Sequence, residues 1–503
     1  MTDITMPIPP RTSDVSADLV AKRYRAERRF RAYGLISLGI TALFLAFLVV
    51  DIVGKGFPAF FEHTMTLPVA VTVDKVDAAD PAKGDFNTMV KDALKEAFPA
   101  MSSRADRKAL LSLLSAGAGD DLRGRVVSDP SLIGNTVNVP LLMSADADLY
   151  FKGSQTGVVR STGNEPIEIV KLDDKASING KFDTASVGTI IRANNGAFQV
   201  KAVNGLSLDA EVLIEPTAIG QVPAGGWQQL RFSKVEADRR ITDKEAVVLE
   251  TLQERGLVSK GIAWRFFTSG DSREPELSGI KGALVGSLLT IVITLAISLP
   301  IGIAAAIYLE EFARKGRMTD FIEVNINNLA AVPSIIFGLL GLAVFLNFFG
   351  MPRSAPLVGG LVLALLVLPT IIIASRAAFR SVPPSLREAA LGMGATSWQA
   401  VWNVTLPAAV PGIMTGSILA MSRAIGEAAP IMMISGVVFI TRAPSNLMSV
   451  FTVLSLQIYD WAGRHDAGFH AISSAAIIVL LSLLLVFNSI AIVIRQKFSR
   501  PLS

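Results

Sequence analysis

The sequence has no cysteine and only three histidines among its 503 residues. Without cysteine the chain has no disulfides, no thiolate metal site and no cysteine nucleophile. His63, His465 and His470 do not have the spacing of a zinc motif such as HExxH. A GxxxxGK[ST] sequence is also absent, so the chain does not bind ATP through a P-loop. These absences argue against a thiol or zinc enzyme and against a P-loop ATPase.

Charge is also scarce. Charged residues make up 18% of the chain, whereas roughly a quarter is usual in soluble globular proteins. Hydrophobic residues make up 51%, and the mean hydropathy is +0.48. The net charge of +4 is too small to indicate a nucleic-acid partner. The composition therefore excludes a single soluble enzyme and predicts a membrane protein.

Long uncharged runs predict membrane-spanning helices, which need about 20 mostly apolar residues. Five such runs cover residues 32–50, 282–309, 324–352, 354–375 and 471–494. A sixth span is expected around 411–439, although Arg423 and Glu427 interrupt it. The predicted fold is an all-α integral membrane protein with six transmembrane helices. Proline is expected to break three of the spans, at Pro300, Pro333 and Pro430.

Lysine and arginine in the short flanks of the spans predict the orientation, because they concentrate on the cytoplasmic side. They are most frequent in the tail 1–31 and after the second, fourth and sixth spans. Both termini are therefore expected in the cytoplasm and residues 54–278 in the periplasm. The first span is preceded by 31 mostly polar residues and is followed by no small-residue cleavage site. It is thus predicted to be an uncleaved anchor and not a signal peptide.

The 225 residues between the first two spans have a different character. Apolar residues at helical spacing predict helices within 85–115 and 243–255. Alternating residues over 148–216, with Asn-Gly pairs at 179–180, 195–196 and 204–205, predict β-hairpins. The insert is therefore expected to be a β-rich α+β domain, and its composition does not indicate its role.

A fixed pattern stands between the fourth and fifth spans. Glu388 and Ala389 open an EAA triplet, Gly394 follows after three further residues, and a Val-x-Leu-Pro run ends at Pro407. We expect a short helix over 385–391, a glycine turn, and a second helix over 397–404 that stops near Pro407. The small residues let another protein's backbone approach closely. The alternative is a loop that packs only on its own bundle.

This pattern resembles the coupling loop of binding-protein-dependent ABC importer permeases. In that family the loop docks into a groove on the ATPase subunit and carries the motion of that subunit to the membrane helices. The resemblance implies this coupling role for Glu388, Ala389, Gly394 and Pro407.

Arg423 and Glu427 lie four residues apart, hence on one helical face, inside an apolar span. Charges in a membrane span usually face the bundle interior or a wet cavity and mark function. One interpretation is a mutual salt bridge that pins helices together. The other is an oxyanion site, in which the arginine fork binds a tetrahedral anion. The glutamate would then accept a hydrogen bond from protonated phosphate and reject aprotic sulfate.

The same segment resembles PstA-type permease subunits of phosphate ABC importers. The resemblance is carried by 411–416 and 422–430, and three further stretches agree, at 302–312, 332–339 and 381–394. Ala428 departs from the common family form, which has threonine there. Arg376 resembles a family arginine important for transport, the alternative being a snorkelling anchor. Ser334, beside Pro333, is expected to line the substrate pathway.

The resemblance implies a bacterial inner-membrane permease with an extended N-terminal region. The implied partners are a sister phosphate permease subunit, an ATPase dimer, a periplasmic phosphate-binding protein, inorganic phosphate and membrane lipid. ATP and magnesium would be bound by the ATPase, with no cofactor in this chain. The implied division is a cytoplasmic basic tail 1–31, a transmembrane helix 32–53, a periplasmic insert 54–278, a permease core 279–497 with the coupling loop 380–410, and a cytoplasmic tail 498–503.

Two other functions remain as alternatives at this stage. One is an ABC permease for another solute, such as sulfate, molybdate or an amino acid, which the general coupling pattern allows. The other is a membrane sensor that uses the insert. A sensor needs a cytoplasmic output domain, and only nine residues follow Ile494.

Overall fold

The computed structural model describes residues 17–77, 80–153, 157–172, 175–182, 185–436 and 439–498. The chain divides into two units, residues 1–55 and 56–503. In the first unit, helix α1 (Ala17–Gly56) contains the predicted span and also the second half of the predicted tail. The helix starts before the apolar run because arginine, lysine and alanine, which dominate 21–31, are good helix formers. Residues 1–16 and 499–503, which belong to the two predicted tails, lie outside the described residues.

The insert alternates helices and strands. In chain order its elements are β1 (Phe61–Ala70), α2 (Phe86–Ala97), α3 (Arg104–Leu111), α4 (Ala118–Ser128), β2 (Thr136–Leu142), α5 (Ala145–Phe151), β3 (Val158–Thr162), β4 (Ile167–Leu172), β5 (Lys175–Gly180), β6 (Ile190–Ala193), β7 (Gly196–Asn204), β8 (Ser207–Ile214), β9 (Gly220–Val222), β10 (Trp227–Phe232), α6 (Asp243–Glu254), β11 (Val258–Ile262) and α7 (Trp264–Thr268). These elements form two lobes.

The first lobe is built on the three-stranded antiparallel sheet β11-β1-β2, which is covered by helices. Its core joins β1 and β2 to α2, α4 and α6. The second lobe is the eight-stranded antiparallel sheet β3-β10-β6-β7-β8-β5-β4-β9. Its own apolar core includes Ile178, Phe198 and Trp227. The second lobe is contiguous in sequence, because it runs from β3 to β10.

The three Asn-Gly pairs behave differently. Asn204 pairs with Ser207, so the predicted hairpin forms with its turn at 205–206, one residue after the predicted pair, and Gly205 has a φ of +67°. The β6–β7 turn lies one residue before the predicted pair, because Asn194 and Asn195 both adopt positive φ. The prediction at 179–180 is wrong. Both residues belong to β5, where the absence of a side chain on Gly180 lets Ile167 approach closely.

The predicted helical region 85–115 contains two helices, α2 and α3. Each has a separate N-terminal cap: Asp85 accepts a hydrogen bond from the Thr88 amide, and Ser103 accepts one from the Asp106 amide. Helix α6 begins at the predicted residue, with a capping box of Thr242 and Glu245, and ends one residue before the predicted 255.

The remaining helices form the membrane-type part of the second unit. They are α8 (Lys281–Ile307), α9 (Arg317–Ala330), α10 (Ser334–Gly341), α11 (Pro356–Arg380), α12 (Pro384–Gly392), α13 (Ser397–Ala400), α14 (Leu406–Gly426), α15 (Ala429–Ser435), α16 (Leu454–Gly463) and α17 (Ala467–Phe498). In the described parts of both units, five helices are long and apolar enough to cross a membrane. A sixth span results if the bent segment 317–348 crosses as one.

The prolines have three different effects. Helix α8 runs through Pro300 without a break, so that prediction is wrong, and a neighbouring helix packs closely at Gly302. The chain does break at Pro333, where the segments 317–330 and 334–348 meet at a bend of 102°. Pro430 lies in the first turn of α15, so the break in the fifth span precedes it, at residues 427–428. Proline is favoured there because its missing N–H would have no helical partner.

Small residues allow the helices of the bundle to pack closely. Gly302 of α8 faces Ile371 of α11, and Gly360 of α11 faces Ile293 of α8. The Thr294 hydroxyl donates a hydrogen bond to the Gly360 carbonyl across the same contact. Such contacts are typical of helix packing in membranes, where apolar burial alone gives no preference for protein over lipid.

Candidate functional site

Arg423 and Glu427 lie at the broken end of the fifth span. Arg423 is in the last turn of α14, and Glu427 is the extended residue that ends this helix. The Arg423 Nε lies 3.5 Å from the Glu427 Oε1, a long contact for an ion pair. Their side chains are 40% and 20% exposed. In the part of the chain that the structure describes, this is the one ion pair of either residue, so both have donor or acceptor capacity left for a ligand.

Ser334 begins α10, directly after the break at Pro333. One helical turn later Gly338 packs against Pro430 of α15, so close that a Cβ on Gly338 would lie 2.8 Å from the Pro430 Cα. The two broken spans therefore meet through their short second helices. Ser334 lies at the start of one of these helices, and Glu427 lies just before the other.

Arg376 lies in a different environment. Its Nε is 2.6 Å from the Glu310 Oε1, and one of its terminal nitrogens is 2.9 Å from the Glu323 Oε2. Arg380 shares both carboxylates, at 2.9 and 3.9 Å. The Arg376 side chain is 8% exposed. Its charge is compensated within the protein, in contrast to that of Arg423.

The predicted coupling loop, residues 380–410 and here called the coupling segment, begins with the predicted helix and glycine turn. Helix α12 covers the EAA triplet, and Gly394 has a φ of +89°, a conformation that favours glycine. Glu388, Ala389, Gly394 and Pro407 are all exposed. This part of the chain therefore offers a free surface with the predicted residues on it.

The predicted stop at Pro407 is wrong. Residues 397–426 form one continuous apolar helix, with a π-helical turn at Val401–Thr405 and Pro407 in the first turn of α14. The π-helical turn ends just before Pro407, which has no backbone N–H to donate in a regular i→i−4 hydrogen bond. The coupling segment is thus joined to the fifth span without an intervening loop.

The sequence did not single out the acidic pair Glu310 and Glu311, at the end of α8. Glu310 contacts Arg376 and Arg380 of α11, and Glu311 contacts Arg387 of α12. The signal that could have found them is the pair itself, because two adjacent carboxylates at the end of an apolar span need nearby cations.

The insert is joined to the end of α16 and the start of α17 by a second group of charges. Arg464 contacts Asp271 at 3.0 Å and Asp460 at 2.6 Å, and the Trp461 indole N–H donates to Asp271 at 2.9 Å. Burial is the largest influence on Asp271 and raises the pKa of this carboxyl, despite these donors. Arg240 of the insert contacts Asp466 at 2.9 Å, just before α17 begins.

A cavity of about 50 Å³ lies at this joint, between the insert and the start of α17. Its polar lining includes Glu62, His63, Asp148 and Glu276. Burial raises the pKa of Glu62 and of Glu276. Within the described residues, no group of three or more histidine or acidic side chains is arranged to hold a metal ion.

Comparison with known proteins identifies the membrane part. Residues 298–500 match the family described as "Binding-protein-dependent transport system inner membrane component", and residues 17–160 match a "Domain of unknown function (DUF3333)". The probable ABC transporter permease protein YqgI of Bacillus subtilis is 32% identical over 45% of this chain and 81% of its own length. The phosphate transport system permease protein PstA 1 of Mycobacterium tuberculosis (strain CDC 1551 / Oshkosh) is 31% identical over 43% of this chain and 71% of its own length.

The chain belongs to the PstA-type ABC permeases. Among solved structures, a chain of the MetNI methionine ABC transporter, in an inward-facing form, is 18% identical to the permease. That match covers 44% of the permease and 96% of the MetNI chain, with a TM-score of 0.35. The family match and the long apolar helices make the permease a multi-pass membrane transport component, with an N-terminal extension that carries the second matched domain.

Proposed function

We propose that the chain is the transmembrane subunit of an ATP-driven, binding-protein-dependent importer of inorganic phosphate. The observation that carries the proposal is the loosely paired Arg423 and Glu427 at the break between α14 and α15. Arg376 and Arg380, near the cytoplasmic end of the bundle, contact carboxylates at 2.6 to 2.9 Å. Arg423 is more exposed than Arg376 and keeps unused donors, so it is the better candidate to meet an anion.

The chemistry of this pair suits phosphate. A guanidinium presents parallel N–H donors that match two oxygens of a tetrahedral anion. Phosphate still carries a proton near neutral pH, and that proton can donate to the Glu427 carboxylate. Sulfate has no proton to donate, so it would leave this carboxylate unpaired and facing a negative charge. Ser334, across the contact between α10 and α15, supplies a further hydroxyl close to the same path.

The proposal that the chain is a phosphate permease also implies its membrane topology and its partners. The bent segment 317–348 serves as the sixth span, both termini lie in the cytoplasm, and residues 54–278 lie in the periplasm of a bacterial inner membrane. A sister phosphate permease completes the path, and a periplasmic binding protein delivers phosphate. Glu388, Ala389, Gly394 and Pro407 contact an ATPase dimer, which binds ATP and magnesium. In this arrangement Arg376 positions the inner ends of α8, α9 and α11.

The test is anion uptake by the assembled transporter in cells lacking other phosphate importers. We expect Arg423→Gln to lower phosphate uptake at least tenfold, because the anion loses its charged fork. We expect Glu427→Gln to reduce the preference for phosphate over sulfate, because an amide can donate a hydrogen bond to sulfate. Arg353→Gln, in an outer loop, is the matched control. Unchanged uptake and unchanged sulfate exclusion in both site variants would contradict the proposal.

A second candidate is a permease for another solute. It is favoured by Ala428, which replaces the hydroxyl residue common in phosphate permeases next to the charged pair. Uptake of sulfate, molybdate or an amino acid by the wild-type transporter, without phosphate uptake, would establish that alternative.

A further inference from the structure

Two adjacent glutamates at the inner end of α8 reach different neighbours. They lie in the π-helical turn Tyr308–Phe312, which continues α8. Glu310 contacts Arg376 and Arg380, both on α11. Glu311 contacts Arg387, on α12. One glutamate therefore joins α8 to its neighbour in the bundle, and the other joins α8 to the coupling helix.

Helix α12 has two faces. Ala390 is buried, and Arg387, one turn before it, points to Glu311. Glu388 and Ala389 are exposed. Arg387 and Ala390 share a helical face because they are three residues apart, whereas Glu388 and Ala389, which directly follow Arg387, point away from that face. A partner bound to the exposed side leaves the Arg387 contact in place.

The ion pair between Glu311 and Arg387 would be costly to break. The Glu311 side chain is 2% exposed, and in the described part of the chain Arg387 is its only ion-pair partner. Separation of the two would leave a buried carboxylate without a compensating charge, which is strongly unfavourable. The same turn makes a second contact with the coupling segment, because Phe312 lies 6.3 Å from Trp398, between ring centroids. Trp398 in turn stacks on Trp402 at 5.7 Å.

We propose that the Glu311–Arg387 ion pair is a tether that passes displacement of the coupling helix to α8. It rests on the proposed function, in that the exposed face of α12 binds the ATPase. Glu311 and Arg387 act as positioning residues and contact neither the solute nor ATP. When the ATPase displaces α12, the Glu311–Arg387 ion pair moves the inner end of α8. The ion pairs of Glu310 with Arg376 and Arg380 then move α11.

The test uses the whole transporter, purified with its ATPase and reconstituted with the binding protein. We expect Glu311→Gln and Arg387→Gln each to lower solute uptake per ATP hydrolysed at least tenfold. ATP hydrolysis and copurification of the ATPase should persist, because the EAA surface is untouched. The reciprocal exchange Glu311→Arg with Arg387→Glu should restore much of the ratio. Glu323→Gln is the matched control, since this glutamate contacts the α11 arginines but makes no contact with Arg387 in the described structure.

Three outcomes would overturn the tether. They are an unchanged ratio in the single variants, loss of the ATPase from the purified complex, and an equal fall in Glu323→Gln. If the single variants do not fold, the reciprocal exchange decides, because a folded exchange variant with an uncoupled ATPase also contradicts the proposal. The ratio is measured with whichever anion the wild-type complex carries. Failure of the wild type to carry phosphate would therefore contradict the proposed function and leave the tether testable.

Discussion

Individual charges differ in how far the fold compensates them. Arg376 has carboxylate oxygens at 2.6 and 2.9 Å, whereas Arg423 has one at 3.5 Å. A side chain whose charge is already compensated stabilises the fold, and one with free donors is available to a ligand. Both arginines lie in apolar spans, so their location does not distinguish them. Their ion pairs do, because they make Arg376 a structural residue and leave Arg423 as the candidate to bind an anion.

Glu276 gives a prediction at the residue scale. Burial raises its pKa above the ordinary 4.5, and its Oε2 has no hydrogen-bond partner within the described structure. The folded state thus favours the protonated form, and wild-type stability falls as the pH rises from about 4.5 through the raised value. We expect Glu276→Gln to raise the stability by about 1 kcal/mol at pH 8, since a neutral amide is cheaper to bury. The gain should vanish at and below pH 4.5.

Thermal unfolding of the purified chain in detergent, measured from pH 4.5 to pH 8, checks this expectation. Glu96→Gln is the control, because Glu96 is exposed and is not among the charges that act on Glu276. A variant that is less stable than the wild type at pH 8 would show that the Glu276 charge is compensated in the folded protein.

At the scale of elements, the contact between α10 and α15 depends on Gly338. A Cβ there would lie 2.8 Å from both the Cα and the carbonyl oxygen of Pro430. Both are backbone atoms, so the two helices would have to move apart. We expect Gly338→Ala to cost about 1–3 kcal/mol, the usual range for overpacking, and to lower anion uptake because the broken spans shift. Gly463→Ala, where no atom lies within 4 Å of the added Cβ, should be near neutral.

Thermal unfolding and uptake of these two variants, at matched expression, give the measurement. Equal behaviour of the Gly338 and Gly463 variants would mean that α10 and α15 can separate without consequence for the path.

Much of the helical part could be predicted from the sequence, because long apolar runs and caps are local signals. The run 471–494 lies inside α17, the run 354–375 begins two residues before α11, and Thr242 caps α6 where the helix was expected. The effect of a proline could not be predicted in this way. Pro300 lies inside a continuous helix, whereas Pro333 lies at a bend of 102°, and neither outcome can be read from the proline itself.

At the scale of the whole molecule, the second lobe of the insert is separable. Its ends lie side by side, since Val158 pairs with Phe232 and a Cβ on Gly157 would touch the Ser233 side chain. It is joined to the first lobe by ion pairs to Glu250 and Glu254 of α6, and by buried apolar residues of β6, β7, β8 and β10 that belong to the first lobe's core. We expect removal of residues 158–232, with a two-glycine link from 157 to 233, to lower the stability of the first lobe, which loses these apolar contacts. We expect anion uptake to stay within about twofold of the wild type, because most of the second lobe packs around a separate core.

The deletion should carry Glu250→Gln, because Arg160 would no longer compensate this buried carboxylate. The full-length Glu250→Gln chain is the control for that change. A tenfold fall in uptake by the shortened chain, with the ATPase still bound, would instead give the lobe a part in transport, such as contact with the binding protein.

The sequence by itself determined the membrane class, the spacing of the coupling residues and the positions of Arg423 and Glu427. Each of these depends on composition or on residues within about 20 positions of one another. Only the tertiary structure decided which charges are compensated. Arg376 and Glu310 are 66 residues apart, and Arg387 and Glu311 are 76 apart. Such pairs form only when separate helices pack side by side, and the local sequence does not predict which helices will pack together.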